Sequence, residues 1–249
     1  MFEGGAEDKP PLVFMHGLAG LLFDTTFLDL LAEHHHVFAP ELPGYGESQG
    51  EQLLEDMLDF ALHGWDVVDG LQLHKPTLVG HSLGGMIAAE MACLQPSAVP
   101  KLVLIDPYGL WLDDHPIPDV FALLPYEFGE LLFHDQQRAA DLLGGATDAA
   151  DPESLRQFVI ENARRLGTAG KMLFPIPNRR LSKRLYRLSA DTLVVWAEQD
   201  RLIPSAYASQ WRHLLPNAQT VCLGDAGHML PYERPDALAR EVLRFVGVA

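Results

Sequence analysis

The 249-residue chain is short of cysteine, of positive charge and of long apolar runs, and each shortage removes a class of protein. Its two cysteines, Cys93 and Cys222, stand in the apolar stretches AAEMACL and TVCLG. Two small buried side chains are therefore expected rather than a disulfide framework, as in a reducing cytoplasm. Lys and Arg number 18 against 34 Asp and Glu, a net charge of −16 that repels phosphate backbones and anionic lipid surfaces. Neither nucleic acid nor membrane is an expected partner. No run of 18 apolar residues could span a bilayer, and the opening MFEGGAEDKP has neither the basic nor the apolar part of a secretion signal. A cytoplasmic location is the expectation. What the chain does have is 48% hydrophobic and 21% charged residues, the profile of a folded globular protein of one large domain with an insertion.

Short apolar runs recur at Leu12 to Met15, His36 to Ala39, Thr77 to Val79, Leu102 to Ile105, Leu193 to Ala197 and Thr220 to Leu223. They are nearly continuous rather than alternating, as parallel strands covered on both faces require. Between them lie helical stripes, such as Leu54, Met57, Leu58, Ala61, Trp65 and Val68, and Leu238, Val242 and Phe245. This is a βαβ rhythm, so the fold class is α/β. The rhythm stops between Pro107 and Leu188, where prolines at 116, 118, 125, 152, 175 and 177 cut the chain into short pieces. Residues 1–106 and 189–249 therefore read as the core and 107–188 as a helical cap insertion. From Arg156 to Arg187 there are nine basic residues and one acid, so this stretch is +8 and the remainder −24. It reads as a solvated face, a clamp onto the acidic core, or a receptor for an anionic substrate group.

Gly80-His81-Ser82-Leu83-Gly84 follows a strand-like run and precedes an apolar helical one. A serine on such a sharp strand-to-helix turn projects its hydroxyl above the sheet, and the flanking glycines leave room for the turn. Its hydroxyl needs a base, and the base a carboxylate. His228 stands out among eleven histidines because Gly224-Asp225-Ala226-Gly227-His228 is a loop directly after the last strand-like run. For the carboxylate, Asp200 ends TLVVWAEQD, 28 residues before His228; Asp106 at the end of LVLID competes, followed by Glu198 and Asp225. The developing oxyanion would take the backbone amides of Leu83, after the serine, and Leu18, in the His16-Gly17 turn after the first strand. His16 itself reads as a brace for that loop.

These elements, His16-Gly17, PGYGES at 43–48, GHSLGG at 80–85, WAEQDRLIP at 196–204 and AGH at 226–228, resemble α/β-hydrolases of the cap-bearing esterase and C–C hydrolase type over nearly the whole chain outside the insertion. The resemblance implies Ser82, Asp200 and His228 as nucleophile, acid and base, in agreement with the reading of the residues. Three departures matter. Only 15 residues precede His16, so the family's first two strands are expected to be missing, leaving about six strands with the one near Val37 at the edge. Glu41 stands where the family often has Asp, and HGLAG lacks the Gly-Pro-Gly type of oxyanion loop. Ser82 argues against dehalogenases and epoxide hydrolases, whose nucleophile is Asp.

His34-His35-His36 reads as a helix end entering a strand, since three successive side chains cannot face one metal ion. Trp111, Phe121, Tyr126, Phe128 and Phe133 fit no single helix face and either line a substrate pocket or form the insertion's own core. His16, His81, Met229 and Leu230 complete the expected pocket wall. The reading is a carboxylesterase for small to medium acyl esters, with neither metal nor organic cofactor, as a monomer or homodimer. A C–C hydrolase of diketo acids, an acyltransferase or thioesterase, and an inactive binding protein of the same fold are the alternatives.

Overall fold

The computed structural model describes residues 1–124, 126–144, 151–215 and 217–248; Pro125, one of the breakers read from the sequence, lies outside them. In chain order the strands are β1 (Phe2–Gly4), β2 (Pro11–Met15), β3 (His36–Ala39), β4 (Thr77–His81), β5 (Lys101–Ile105), β6 (Asp191–Ala197) and β7 (Gln219–Leu223). The helices are α1 (Thr26–Ala32), α2 (Met57–Gly70), α3 (Leu83–Leu94), α4 (Glu127–Leu132), α5 (Gln136–Ala139), α6 (Pro152–Leu173), α7 (Ala206–Leu214), α8 (Leu230–Glu233) and α9 (Pro235–Val246). One sheet runs β1-β3-β2-β4-β5-β6-β7, parallel except for β1. No helix among the described residues is long and apolar enough to cross a membrane.

Both faces of the central strands are buried, and alternate residues serve opposite cores. Val13, Met15, Leu78, Leu102, Leu104, Val194 and Trp196 point to the side of α2 and α3. Leu12, Phe14, Val79, Val103, Ile105, Leu193 and Val195 point to the side of α1 and α9. Removing each such side chain from water contributes about 1.5–3 kcal/mol, which is why the central strands read as unbroken apolar runs. α3 is buried almost along its whole length and is rich in small residues, so its backbone approaches the sheet closely. Successive crossovers from β2 put β3 on one side and β4 on the other. The chain reverses direction across the sheet there, and the crevice above the carboxyl ends of β2 and β4 is where such a fold presents a site.

The sheet has seven strands, not about six, and the strand containing Val37 is not its edge. Residues Phe2 to Gly4 pair antiparallel with Ala39 to Val37, and His36 Nε2 lies 2.8 Å from Glu3 Oε1. Three residues reading Phe-Glu-Gly carry no apolar run, so only the pairing partner makes them a strand. A short edge also limits unwanted pairing with other chains. Cys93 is buried in α3 as expected, whereas Cys222 is exposed on β7 at the opposite edge.

Among its described residues, the stretch between β5 and β6 holds α4, α5, α6, short 3₁₀ turns and a π-helical turn at Ala140–Gly144. α6 is capped by Asp151, which accepts the N–H groups of Glu153 and Ser154, with Pro152 in its first turn. Its basic residues are largely tied down. Arg164 grips Glu51 and the carbonyls of Gly46 and Ser48; Lys171 donates to the carbonyls of Glu51 and Leu54. The Arg164 guanidinium holds the Glu51 carboxyl down at about 2. Nearer β6, Arg184 pairs with buried Glu90 and Arg187 donates to the Cys93 carbonyl on α3.

Candidate active site

Ser82 sits between β4 and α3 with φ 56° and ψ −118°, a region that non-glycine residues adopt at a cost of about 1–3 kcal/mol. Its backbone is pinned there. Ser82 N–H donates to the Ile105 carbonyl at 2.8 Å, and its own carbonyl accepts from Gly85, Met86 and Tyr108 at 3.0–3.2 Å. The flanking glycines are steric necessities: a Cβ at Gly80 would lie 2.4 Å from the Gly84 carbonyl oxygen, and one at Gly84 would lie 2.0 Å from that of Met15. The pentapeptide read in the sequence is thus what the turn can physically accommodate.

His228, in the loop between β7 and α8, places Nε2 2.7 Å from Ser82 Oγ and Nδ1 2.8 Å from Asp200 Oδ2. With Nδ1–H donating to the carboxylate, Nε2 is left to accept the serine proton. Asp200 stands in the turn after β6, and its Oδ1 accepts the N–H groups of Leu202 and Ile203 at 2.8 Å each, which fixes the carboxylate plane. Gln199 stitches the two loops together, its N–H donating to the Ala226 carbonyl and its side-chain oxygen accepting the Ala226 N–H.

Asp106 ends the neighbouring strand and makes no hydrogen bond to His228. It is fully buried; Oδ1 accepts the Ala197 N–H at 2.8 Å, and Oδ2 has no partner among the described residues. Burial, and then the charge of Asp200, raise its carboxyl well above the usual range. Glu198 lies near Gly224, and exposed Asp225 pairs with Arg234.

The turn after β2 lies against the serine: a Cβ on Gly17 would stand 2.9 Å from Ser82 Cβ. Among the described residues neither the Leu18 nor the Leu83 N–H has a protein acceptor. His16 braces the turn, its Nδ1–H donating to the Gly17 carbonyl at 2.9 Å and its Nε2 accepting the Leu42 N–H at 3.0 Å. That pattern demands a neutral ring, and burial lowers its pKa to about 4. His81 Nε2–H donates to the His228 carbonyl at 2.7 Å, and burial, with His228 close by, lowers it to about 3. Both histidines are props rather than bases.

The residues expected to form the pocket wall are distributed over several places in the structure. A cavity of about 450 Å³ lies between the Leu18–Phe23 turn, α4 and α6, and Leu18 and Phe128 line it. Trp111 and Phe121 line a second recess, of about 40 Å³, beside Met86 and Tyr108. Tyr126 is 77% exposed. Phe133 and Met229 are packed in the core on the α2–α3 side, and Leu230 in the core on the far side of the sheet. Met229 and Leu230 follow His228 directly, where the chain turns into α8. His16 and His81 lie beneath the site as props, not in the cavity wall.

The sequence reading missed Glu233. Its Oε2 accepts the Gly227 N–H at 2.7 Å, while Oε1 accepts the N–H groups of His134 and Asp135 at 2.9 and 2.7 Å. Met229 N–H also donates to the Leu132 carbonyl. One carboxylate therefore fastens the His228 loop to the stretch joining α4 and α5. In PYERP it looks like any surface acid, and no periodicity or motif marks it.

A model of the α/β hydrolase fold matches residues 10–235. An uncharacterized hydrolase of Bacillus subtilis is 24% identical over 96% of this chain and 90% of its own length. A 2-hydroxy-6-oxo-6-phenylhexa-2,4-dienoate hydrolase of Burkholderia cepacia is 28% identical over 87% of this chain and 78% of its own. The crystal structure of a bacterial membrane phospholipase A superposes with a TM-score of 0.79 at 25% identity, covering 98% of this chain and 80% of that one. With the seven-stranded sheet, the serine turn and the match over residues 10–235, the chain belongs to the α/β hydrolase fold family.

Proposed function

We propose that this hydrolase is a serine carboxylesterase acting on esters of small to medium acyl length. The observation that carries the reading is the continuous hydrogen-bonded series from Ser82 Oγ through His228 to Asp200. As His228 takes its proton, Ser82 Oγ attacks the ester carbonyl; the N–H groups of Leu18 and Leu83 receive the oxyanion, each such donor contributing about 3–4 kcal/mol in comparable sites. The acyl–oxygen bond breaks, the alcohol leaves with the proton from His228, and the acyl group stays on Ser82. Water, deprotonated by His228, then releases the acid. In this reading residues 107–188 are the cap, and Ser82 and His228, each only 1% exposed, are shielded from bulk solvent.

The test is stopped-flow hydrolysis of p-nitrophenyl acetate, butyrate and octanoate. Saturable turnover with a burst of about one p-nitrophenol per chain is expected, since a burst reports an accumulating acyl-enzyme. No turnover by the folded protein would remove the reading. A second reading, C–C cleavage of a diketo acid, draws on the Burkholderia relative and would be favoured by faster turnover of that diketo acid than of any p-nitrophenyl ester.

Glu233 is a positioning residue in this scheme. Glu233→Ala should lower kcat/KM for p-nitrophenyl butyrate by about 10- to 100-fold through a displaced His228 loop, and Glu233→Gln should recover part of the loss through its remaining oxygen. A purely structural role would lower the urea midpoint of Glu233→Ala yet leave kcat/KM per folded molecule unchanged.

A further inference from the structure

Two recesses of unlike character flank the serine turn, reaching it through neighbours of Ser82 rather than through Ser82 or His228 themselves. The smaller, about 40 Å³, is lined by Met86, Tyr108, Leu110, Val120 and Phe121 and is apolar, and the N–H groups of Met86 and Tyr108 hold the Ser82 carbonyl. The larger, about 450 Å³, meets the site through Leu18 and is two-faced. Its apolar wall includes Leu22, Phe128, Leu132 and Leu142; its other wall is one side of α6, carrying Gln157, Glu161, Asn162 and Arg165.

That polar row is internally balanced. Gln157 Nε2 donates to Glu161 Oε1 at 2.9 Å, and Arg165 Nη2 lies 3.6 Å from Glu161 Oε2. Carboxylate, carboxamides and guanidinium together offer both acceptors and donors, while the two formal charges cancel. Of the nine basic residues between 156 and 187, Arg165 alone lines this cavity, and a carboxylate accompanies it there. A substrate anion would meet Glu161 and a cation would meet Arg165. A neutral group that both donates and accepts, a hydroxyl, satisfies the whole row.

We infer that the larger cavity holds the alcohol part of a polyol ester, its hydroxyls on the α6 row and its carbon skeleton on the Leu22–Phe128 wall, with a short acyl chain in the smaller recess. This rests on the serine-esterase reading and specifies its substrate class. Of the three readings of the basic stretch, it sets aside the anion receptor.

The experiment compares kcat/KM for glyceryl monobutyrate, ethyl butyrate and monoethyl succinate in wild type, Asn162→Leu, Arg165→Met and Glu161→Gln, with Arg156→Met on the exposed side of α6 as control. Reading each result as a ratio to ethyl butyrate within one protein cancels any general loss of activity. In wild type, glyceryl monobutyrate should exceed ethyl butyrate about tenfold. The half-exposed row should not produce the far larger discrimination of a sealed polar pocket. The three cavity variants should bring that ratio to about two or less, and Arg156→Met should keep it. A wild-type ratio near one would overturn the assignment. So would a preference for monoethyl succinate that Arg165→Met removes, which would make the row an anion receptor. p-Nitrophenyl acetate separates the levels: turnover that depends on Ser82 while the ratio is near one sinks only the polyol assignment, and its absence sinks the esterase reading with it.

Discussion

Ser82→Ala is expected to lower kcat for p-nitrophenyl butyrate by on the order of 10⁴- to 10⁶-fold, the range found when a nucleophile is deleted from a working triad. The loss should be chemical rather than conformational. Alanine keeps the Cβ and meets the same φ of 56°, and the hydrogen bonds that pin the turn come from backbone groups. The urea midpoint should therefore stay close to wild type, which circular dichroism would follow. Because Ser82 and His228 act as a unit, Ser82→Ala/His228→Ala should be no slower than either single variant. Residual activity above about 1% of wild type, in protein shown to be free of contaminating esterase by active-site titration, would mean that another group is the nucleophile.

The second large effect separates two aspartates. Asp200→Asn should cost about 10⁴-fold in kcat, because an amide at Oδ2 donates to His228 Nδ1 and favours the wrong tautomer. Asp106→Asn should retain most of the activity, since that side chain touches the Ala197 N–H and not the imidazole. The pH dependence of stability carries a signature of its own. A carboxyl whose folded pKa lies above its unfolded value of about 3.9 stabilises fully below that value and loses the contribution as pH rises toward the folded one. Asp106 is such a group, raised by burial and by the charge of Asp200. Asp106 thus takes stability away from about pH 4 upward, against the gain that the neutral, buried His16 and His81 make up to about pH 6.5, and Asp106→Asn should lack only the Asp106 part. The difference in Tm between variant and wild type should grow from pH 4 to pH 8. If instead Asp106→Asn abolishes turnover while Asp200→Asn spares it, the acid assignment is reversed.

What could be read in the residues was whatever local sterics or two-sided burial dictates. Leu12 to Met15 and Leu193 to Ala197 are unbroken apolar runs because neighbouring residues face different cores, both dry. Gly80 and Gly84 are visible as motif positions because a single added carbon would collide with the backbone. Asp56 before α2 and Asp151 before α6 cap their helices through bonds spanning two or three residues, local features that the reading of the residues had not singled out. By contrast, Phe2 to Gly4 becomes a strand only through Val37 to Ala39, some 35 residues away, so its own composition announces nothing. The insertion's aromatics were equally mute. Without a period, nothing distinguishes Phe128, which lines the large cavity, from Tyr126, which is turned to solvent, or Phe133, which is packed in the core.

The same division runs through the site. Sequence alone determined the α/β class, the strand-to-helix serine at Ser82 and the loop bearing His228, because each follows from forces acting within a few residues along the chain. Only the tertiary structure decided which strand-end aspartate reaches that histidine. β5 and β6 are neighbours, Asp106 follows the one directly and Asp200 stands in the turn after the other, and the choice depends on which carboxylate the packed loops aim at Nδ1. Tertiary structure likewise fastened the His228 loop through Glu233, turned Arg164, Lys171, Arg184 and Arg187 into clamps, and set Arg165 beside Glu161 in the cavity wall. Those outcomes come from contacts between residues distant in sequence or from the face a helix presents, and charge and composition are the same whichever way the side chains turn.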